Sequence, residues 1–439
     1  MNAFSITEPA VERQPIMINA YREARKVPLW EQAAVTLWFI STYVEIPMGS
    51  PIRYLLMAGF MAYFGLYYRE IIPTMLRCWP LFLLPIFGAF SFIWADYSGA
   101  AMRSGILYLL TPFIIVILAT RVPLRILLRC LFFTAGVAAV LSAPHYDRFI
   151  YGGLYASKNY FGLHMTLGTL FSLLILFNPK EHKLLRMAAV PTMLICMFFT
   201  WKSEAMTSII FTVVGVAGLV MVRFFWLEVT RLRHMKSLIL LISAAIALSA
   251  VAIVLSMPEQ NLLDDFLGLV GKDSTFTGRT ALWDEGRLIA EENPIFGVGL
   301  ESFWQYDVGA AQTLNENDSK PYGSKLTFHN SFLEVQVHLG IIGLVLFSFL
   351  VIWVVYRTIK VWLLDPSLEN SAMLLICAIM VIGTLTESWL WSTFSPIPTL
   401  FYFGAICSLG TANRKFLGQI PATLSRQPAQ SRYAPSASA

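Results

Sequence analysis

The chain has 439 residues, of which 56% are hydrophobic and only 13% charged, with a mean hydropathy of +0.63. Soluble domains carry charge on about 25% of their residues, so this balance excludes an ordinary soluble enzyme and points to an integral membrane protein. The net charge of +5 follows from lysine and arginine placed beside apolar segments and gives no reason to invoke nucleic acid.

The first 30 residues are mixed and charged, with Glu8, Glu12, Arg13, Arg22, Arg25 and Lys26. They hold no apolar core ending in a small-residue cleavage site, so 1–30 reads as a retained N-terminal tail. Apolar runs long enough to cross a hydrocarbon core about 30 Å thick then follow at 31–48, 51–68, 78–95, 102–120, 124–143, 160–177, 184–201, 205–225 and 237–256. A long polar segment at 257–329 interrupts them, and three more runs follow at 330–356, 371–391 and 396–411 within a last apolar block, 330–411. The expectation is an all-α polytopic membrane protein with about twelve transmembrane helices and one long outer loop that itself contains helices. The remainder, 412–439, is rich in Ser, Pro, Ala and Gln and reads as a disordered tail.

Orientation follows from the basic residues, which stay on the cytoplasmic side when they lie in short flanks. Most of the 32 lysines and arginines fall on one side if both termini are cytoplasmic, which puts the long loop on the outer face. The five cysteines, at 78, 130, 196, 377 and 407, lie in or beside apolar runs without metal-ligand spacing. No Gly-rich phosphate loop, no His-Glu-Xxx-Xxx-His pair and no carboxylate pair at Asp-Xxx-Asp spacing occurs. A nucleotide-driven or metal-centred mechanism is disfavoured, and no cofactor is expected.

With this topology the outer face collects an unusual polar set. It includes Lys158 and Asn159 ahead of the sixth run, Lys202 in the turn after the seventh, and Arg279, Trp283, His329, Asn330 and Glu334 in and after the loop. A charge at membrane depth costs at least about 2.5 kcal/mol, so such groups face a cavity or a partner. Lys158, Lys202 and Arg279 together suit a polyanion such as a lipid pyrophosphate, because guanidinium donates in pairs to phosphate oxygens and lysine adds point charge. Each has a plainer reading. The lysines can snorkel to headgroups, Arg279 can pair with Asp284 or Glu285, His329 can be satisfied by a backbone carbonyl, and Asn330 can be an N-cap. An imidazole titrates near neutrality and so suits proton removal from a sugar hydroxyl. Aromatic residues such as Trp201, Trp304, Tyr306, Trp389 and Trp391 fit an interfacial belt better than a sugar platform. The glycines of Asn293-Pro-Ile-Phe-Gly-Val-Gly299 permit a tight turn between two helices.

The order of motifs, Lys158-Asn-Tyr-Phe-Gly, then Gly278-Arg with Trp283, Asn293-Pro with Gly297 and Gly299, and His329-Asn with Phe332-Leu-Glu334, resembles the O-antigen ligase and Wzy-type polymerase superfamily, including its ExoQ-like exopolysaccharide polymerases. The resemblance implies a GT-C-like membrane glycosyltransferase acting on an undecaprenyl-pyrophosphate-linked oligosaccharide at the periplasmic face. It also implies that Arg279 and a basic residue corresponding to Lys202 engage the pyrophosphate, and that His329 activates the acceptor hydroxyl. Lys202-Ser-Glu-Ala departs from the family's pattern, in which a serine precedes the basic residue.

On this reading Arg279 and His329 are catalytic, with Lys158 and Lys202 on the pyrophosphate and Asn159, Trp283, Asn330 and Glu334 in support. The reaction is metal-independent and inverting. Polymerisation of repeat units into exopolysaccharide leads; an O-antigen ligase delivering glycan to lipid A core is the first alternative, and a non-enzymatic transporter, which calls for charged residues along the whole membrane depth or inverted repeats with broken helices, the second. Membrane lipid, a chain-length co-polymerase and export machinery are the expected partners.

Overall fold

In the computed structural model the described residues are 27–44, 49–226, 279–407 and the isolated positions 234, 235, 238, 241, 245 and 409. Among them every regular element is a helix: α1 (Leu29–Tyr43), α2 (Gly49–Arg77), α3 (Pro80–Phe90), α4 (Ser98–Arg121), α5 (Leu124–Ser142), α6 (Lys158–Phe177), α7 (Lys183–Lys202), α8 (Met206–Met221), α9 (Arg279–Glu292), α10 (Gly309–Asn317), α11 (Ser331–Leu364), α12 (Leu368–Gly383) and α13 (Pro396–Ile406), with short 3-10 turns at Ser91–Ile93, Ala143–Tyr151 and Trp389–Trp391.

Six helical segments are long and apolar enough to span a membrane, or seven if α2 and the segment Pro80–Ile93, bent from it by 89°, count as one span. The chain is therefore a multi-pass membrane protein, all-helical among the described residues. The expected run at 237–256 lies outside the described residues apart from isolated positions. Those at 371–391 and 396–411 correspond to shorter apolar helices, α12 and α13.

Helix ends are set by local chemistry. Ser157 caps α6 by accepting from Tyr160 N, and Ser367 caps α12 by accepting from Asn370 N. Ser395 accepts from Ile397 N while Pro396 occupies the first turn of α13, where its missing N–H costs nothing. Val122 and Pro123 separate α4 from α5, the proline setting the start of the second helix.

Burial sorts the bundle into centre and rim. The apolar stretch of α6 is 83% buried, against 22% for α7 and 28% for α8. Helix α6 is thus the axis against which α5, α7 and α8 pack, while the apolar outer faces of α7 and α8 are suited to lipid. At one end of the bundle, Arg121 donates to Tyr63 Oη (2.7 Å) and Glu70 (2.5 Å), and Arg125 and Arg129 clasp the buried Glu181 at 2.8 and 2.7 Å. Pairing removes the cost of keeping these charges near the apolar layer.

The segment from α9 to Asn330 folds at the other end as a compact cap with its own core. Phe303, Trp304, Ala311, Leu314, Leu326 and Phe328 bury one another and lean on Leu333 and Val337 of α11. The cap is joined to the bundle by a break in α11. Gly340 leaves the helical conformation (φ 61°, ψ −162°), which frees the carbonyls of Val337 and His338 and the N–H groups of Ile341 and Ile342 from one another. Val298 N and Gly299 N donate to those two carbonyls at 3.1 and 2.9 Å, while Ile341 N and Ile342 N donate to Pro294 O and Ile295 O at 2.8 and 3.4 Å. Backbone groups inside a membrane protein must find partners, and the Asn293–Gly299 turn supplies all four. The fit leaves no room for a side chain. A Cβ at Gly297 would lie 2.4 Å from His338 C, and one at Gly340 would lie 2.3 Å from Ile295 C. The glycine motif is thus more than a turn between two helices: it repairs a broken spanning helix.

Candidate functional site

The site forms where the N-terminal ends of α6, α9 and α11 meet the segment after α12, and its hub is Glu387. One carboxylate oxygen, Oε1, accepts from Arg279 Nη2 at 2.8 Å and from Asn159 Nδ2 at 2.9 Å. The other, Oε2, accepts from His329 Nδ1 at 3.0 Å. Three residues distant in sequence thus converge on one buried carboxylate, only 4% exposed. Burial pushes that carboxyl up, but the His329 bond and the charges of His329 and Arg279 outweigh burial and hold it below its ordinary value.

Each partner is fixed by its own element. Arg279 opens α9 and also donates to Thr386 O, so among the described residues two of its five N–H donors are engaged, leaving three to offer a ligand. The plainer pairing of Arg279 with Asp284 or Glu285 does not occur; Asp284 is taken by Arg287 at 2.6 Å. His329 has left-handed backbone (φ 49°), a conformation that costs a non-glycine residue energy and recurs at functional sites. Asn330 behind it caps α11, its Oδ1 accepting from Phe332 N and Leu333 N at 3.0 and 3.2 Å. Trp283 Nε1 donates to Phe328 O at 2.7 Å, fixing the peptide just ahead of His329.

Glu334 lies one turn inside α11 and binds three segments at once. It accepts from Trp304 Nε1 (2.8 Å), Phe328 N (2.8 Å) and Ser388 Oγ (3.0 Å). Phe328 precedes His329 and Ser388 follows Glu387, so Glu334 ties together the two backbones that carry the imidazole and its carboxylate. Ser331 adds a second tie, donating through Oγ to Glu387 O and through N to Thr384 O, each at 2.8 Å.

A carboxylate accepts, so His329 Nδ1 donates in their bond, and in the neutral imidazole Nε2 is then the acceptor. The arrangement is an imidazole base oriented by a carboxylate, with a guanidinium on the same carboxylate's other oxygen. It can take a proton from a hydroxyl and stabilise an anion beside it.

Residues 188–348 match the family described as O-Antigen ligase. The chain is also 28% identical over 366 residues to the exopolysaccharide production protein ExoQ of Rhizobium meliloti (strain 1021), a match covering 79% of this chain and 82% of that relative. The matched region contains Lys202, Arg279, Trp283, His329, Asn330 and Glu334, whereas Asn159 and Glu387 lie outside its limits.

The two lysines join the cluster less directly. Lys158, exposed in the first turn of α6, is the chain neighbour of Asn159 but forms no ion pair with Glu387. Lys202 ends α7 with its ammonium 5.4 Å from the Tyr146 ring centre and 5.1 Å from that of Trp201, an arrangement that also fits the snorkelling reading. Sequence reasoning missed Glu387 altogether. Its segment, Thr384-Leu-Thr-Glu-Ser388, lay inside the apolar run read as 371–391. The available signal was the acidic residue itself, since an ionisable group within an apolar run is by default a functional candidate.

Proposed function

We propose that this protein is a membrane glycosyltransferase that polymerises undecaprenyl-pyrophosphate-linked oligosaccharide repeat units into exopolysaccharide at the periplasmic face of the inner membrane. The observation that carries the reading is the convergence of His329, Arg279 and Asn159 on Glu387. The match of residues 188–348 to the O-antigen ligase family and the similarity to ExoQ support polysaccharide polymerisation or ligation as the chemistry. The relative's role in exopolysaccharide production favours polymerisation over delivery of glycan to lipid A core. A GT-C-like bundle of about twelve spans with both termini cytoplasmic is the architecture this reading carries.

His329 Nε2 removes the proton from the acceptor sugar hydroxyl, and the oxygen attacks the anomeric carbon of the donor. The bond from that carbon to the pyrophosphate oxygen breaks, and its electron pair leaves with undecaprenyl pyrophosphate. Glu387 holds the imidazole in register and stabilises the imidazolium as it forms, as carboxylates do beside catalytic histidines. The unengaged donors of Arg279 take the departing anion, with Lys158 and Lys202 adding positive charge, so cationic side chains fill the role of a divalent metal. In-line attack inverts the anomeric configuration. The broken helix α11, a feature transporters use to bind substrate, here has the backbone groups freed at its break satisfied by the Asn293–Gly299 turn, which favours chemistry over transport.

The test is to incubate the purified protein in lipid with the undecaprenyl-pyrophosphate-linked repeat unit as both donor and acceptor, without added metal or nucleotide. A ladder of multiples of the unit, absent with His329→Ala, is expected. Transfer only after lipid A core is added would make the enzyme a ligase; no transfer in either case would overturn the reading.

A further inference from the structure

The cap carries two large aromatic rings in the open. Tyr306 is 67% exposed and Tyr322 56% exposed, and their rings meet as a corner, with centroids 4.6 Å apart and planes at 81°. A membrane belt does not account for them, because belt aromatics flank apolar spans. These lie in Gln305–Lys325, among Asp307, Asn315, Glu316, Asn317, Asp318 and Lys320.

Although the rings are exposed, the backbones beneath them are fixed. Gln312, buried in α10, accepts through Oε1 from Gly323 N at 2.7 Å and donates through Nε2 to Gln305 O at 2.9 Å. One side chain therefore clamps the residue after Tyr322 and the residue before Tyr306. Asn315, fully buried, adds a bond from Nδ2 to Ser324 O at 2.9 Å. Gly323 has φ +80°, and a Cβ there would stand 2.6 Å from the Tyr306 ring, so a glycine is what lets the two rings meet. Exposed apolar surface held this rigidly is costly unless something covers it.

The surroundings state what that is. Asp307 follows Tyr306 directly, and its carboxylate beside the Tyr97 hydroxyl raises that phenol's pKa. Glu301 and Lys325 form an exposed pair at 3.4 Å nearby. A pair of rigid amphipathic rings flanked by carboxylates and an ammonium matches a sugar, whose C–H face lies on an aromatic ring while its hydroxyls bond to charged groups at the edge. The corner is also coupled to the chemistry. Trp304, two residues before Tyr306, packs at a tilt against Phe328 with centroids 5.0 Å apart, and Phe328 precedes His329.

We propose that Tyr306 and Tyr322 form a glycan-holding subsite on the cap, which grips sugar residues remote from the reacting bond and keeps the oligosaccharide aligned with His329. The choice of glycan as ligand rests on the proposed function, while the site itself rests on the clamped ring pair.

The experiment uses the full chain in lipid nanodiscs carrying His329→Ala, so that nothing reacts, and the lipid-free repeat oligosaccharide cut from the producing strain's own exopolysaccharide. Saturation-transfer NMR reads the sugar C–H protons. Strong transfer is expected, falling at least fivefold when Tyr306→Ala and Tyr322→Ala are added and persisting with Tyr→Phe at both positions, which keeps the ring faces. In the polymerisation assay, with His329 intact, the double alanine variant is expected to raise KM several-fold, with a smaller fall in kcat. Absent transfer, or transfer unchanged by the double alanine variant, would overturn the subsite. A polymer ladder surviving His329→Ala would instead overturn the catalytic reading, so the two failures are told apart.

Discussion

Both ends of the helix bundle bury a carboxylate against guanidinium groups, yet they are built differently. At the end away from the cap, Glu181 is held by Arg125 and Arg129, which lie one turn apart on α5, while Arg121 bonds Glu70 and Tyr63 of α2. Those partners sit on packed neighbouring helices and beside short turns, and they need no unusual backbone. At the cap end, Glu387 gathers an amide, a guanidinium and an imidazole from positions 159, 279 and 329, the last with left-handed backbone. Buried charge alone therefore does not mark a functional site in a membrane protein. What marks it is convergence of chemically different groups from distant segments, bought with local strain.

That contrast makes its strongest prediction for activity. Arg279→Ala, His329→Ala and Glu387→Gln should each lower polymer formation by at least about 100-fold while protein level in the membrane is retained, since positioned bases and anion-binding donors contribute on this scale. Arg121→Ala should do the reverse, reducing the amount of folded protein but leaving turnover per folded molecule near that of the wild type. Measuring polymer per folded protein decides it. Equal losses of turnover from both ends would dissolve the distinction.

The next effect concerns the broken helix. Gly340→Ala and Gly297→Ala each drive a Cβ to within 2.4 Å of opposing backbone, and Gly340 also demands a positive φ that alanine resists. Each should lower thermal stability of the solubilised protein clearly and reduce activity by about tenfold or more, because the turn that repairs α11 also seats the cap over Glu387. Wild-type stability and activity in either variant would show that the Asn293–Gly299 turn does not hold the cap.

Glu334→Gln comes after these. It keeps the shape but weakens the bonds to Trp304 Nε1, Phe328 N and Ser388 Oγ, at roughly 1–3 kcal/mol for buried donors left poorly satisfied. A moderate fall in kcat with KM little changed is expected, read from initial rates at several substrate concentrations. A change in KM alone would mean that Glu334 shapes the binding surface rather than the base.

How far the sequence could be read depended on range. Asn330 was legible as a cap because an N-cap is decided within three residues. His329 and Arg279 stood out because polar groups are rare and costly beside apolar spans. What bound them together was not legible: Glu387 is 58 residues beyond His329 and sat in what looked like one continuous apolar run, and only the end of α12 at Gly383 turns it back toward the site. The break at Gly340 was hidden for a similar reason. Apolar composition across 331–364 reads as one span, and a glycine within it is compatible with an unbroken helix until a second segment is seen to take over its hydrogen bonds.

The smallest predicted effect sets the sign of the cap end's charge coupling. Glu387 has its folded-state pKa lowered, so its contribution to stability is fully present above the ordinary carboxylate pKa, near about 4.3 for glutamate, and is lost as the pH falls through the lower folded value. The melting temperature of the wild type should therefore exceed that of Glu387→Gln at neutral pH, and the gap should close only below that range. Thermal melts of the two proteins across an acid series measure it. A gap that widens as the pH falls would mean that the carboxyl is held protonated in the folded protein, and His329 would then lose the anionic partner that fixes its proton on Nδ1.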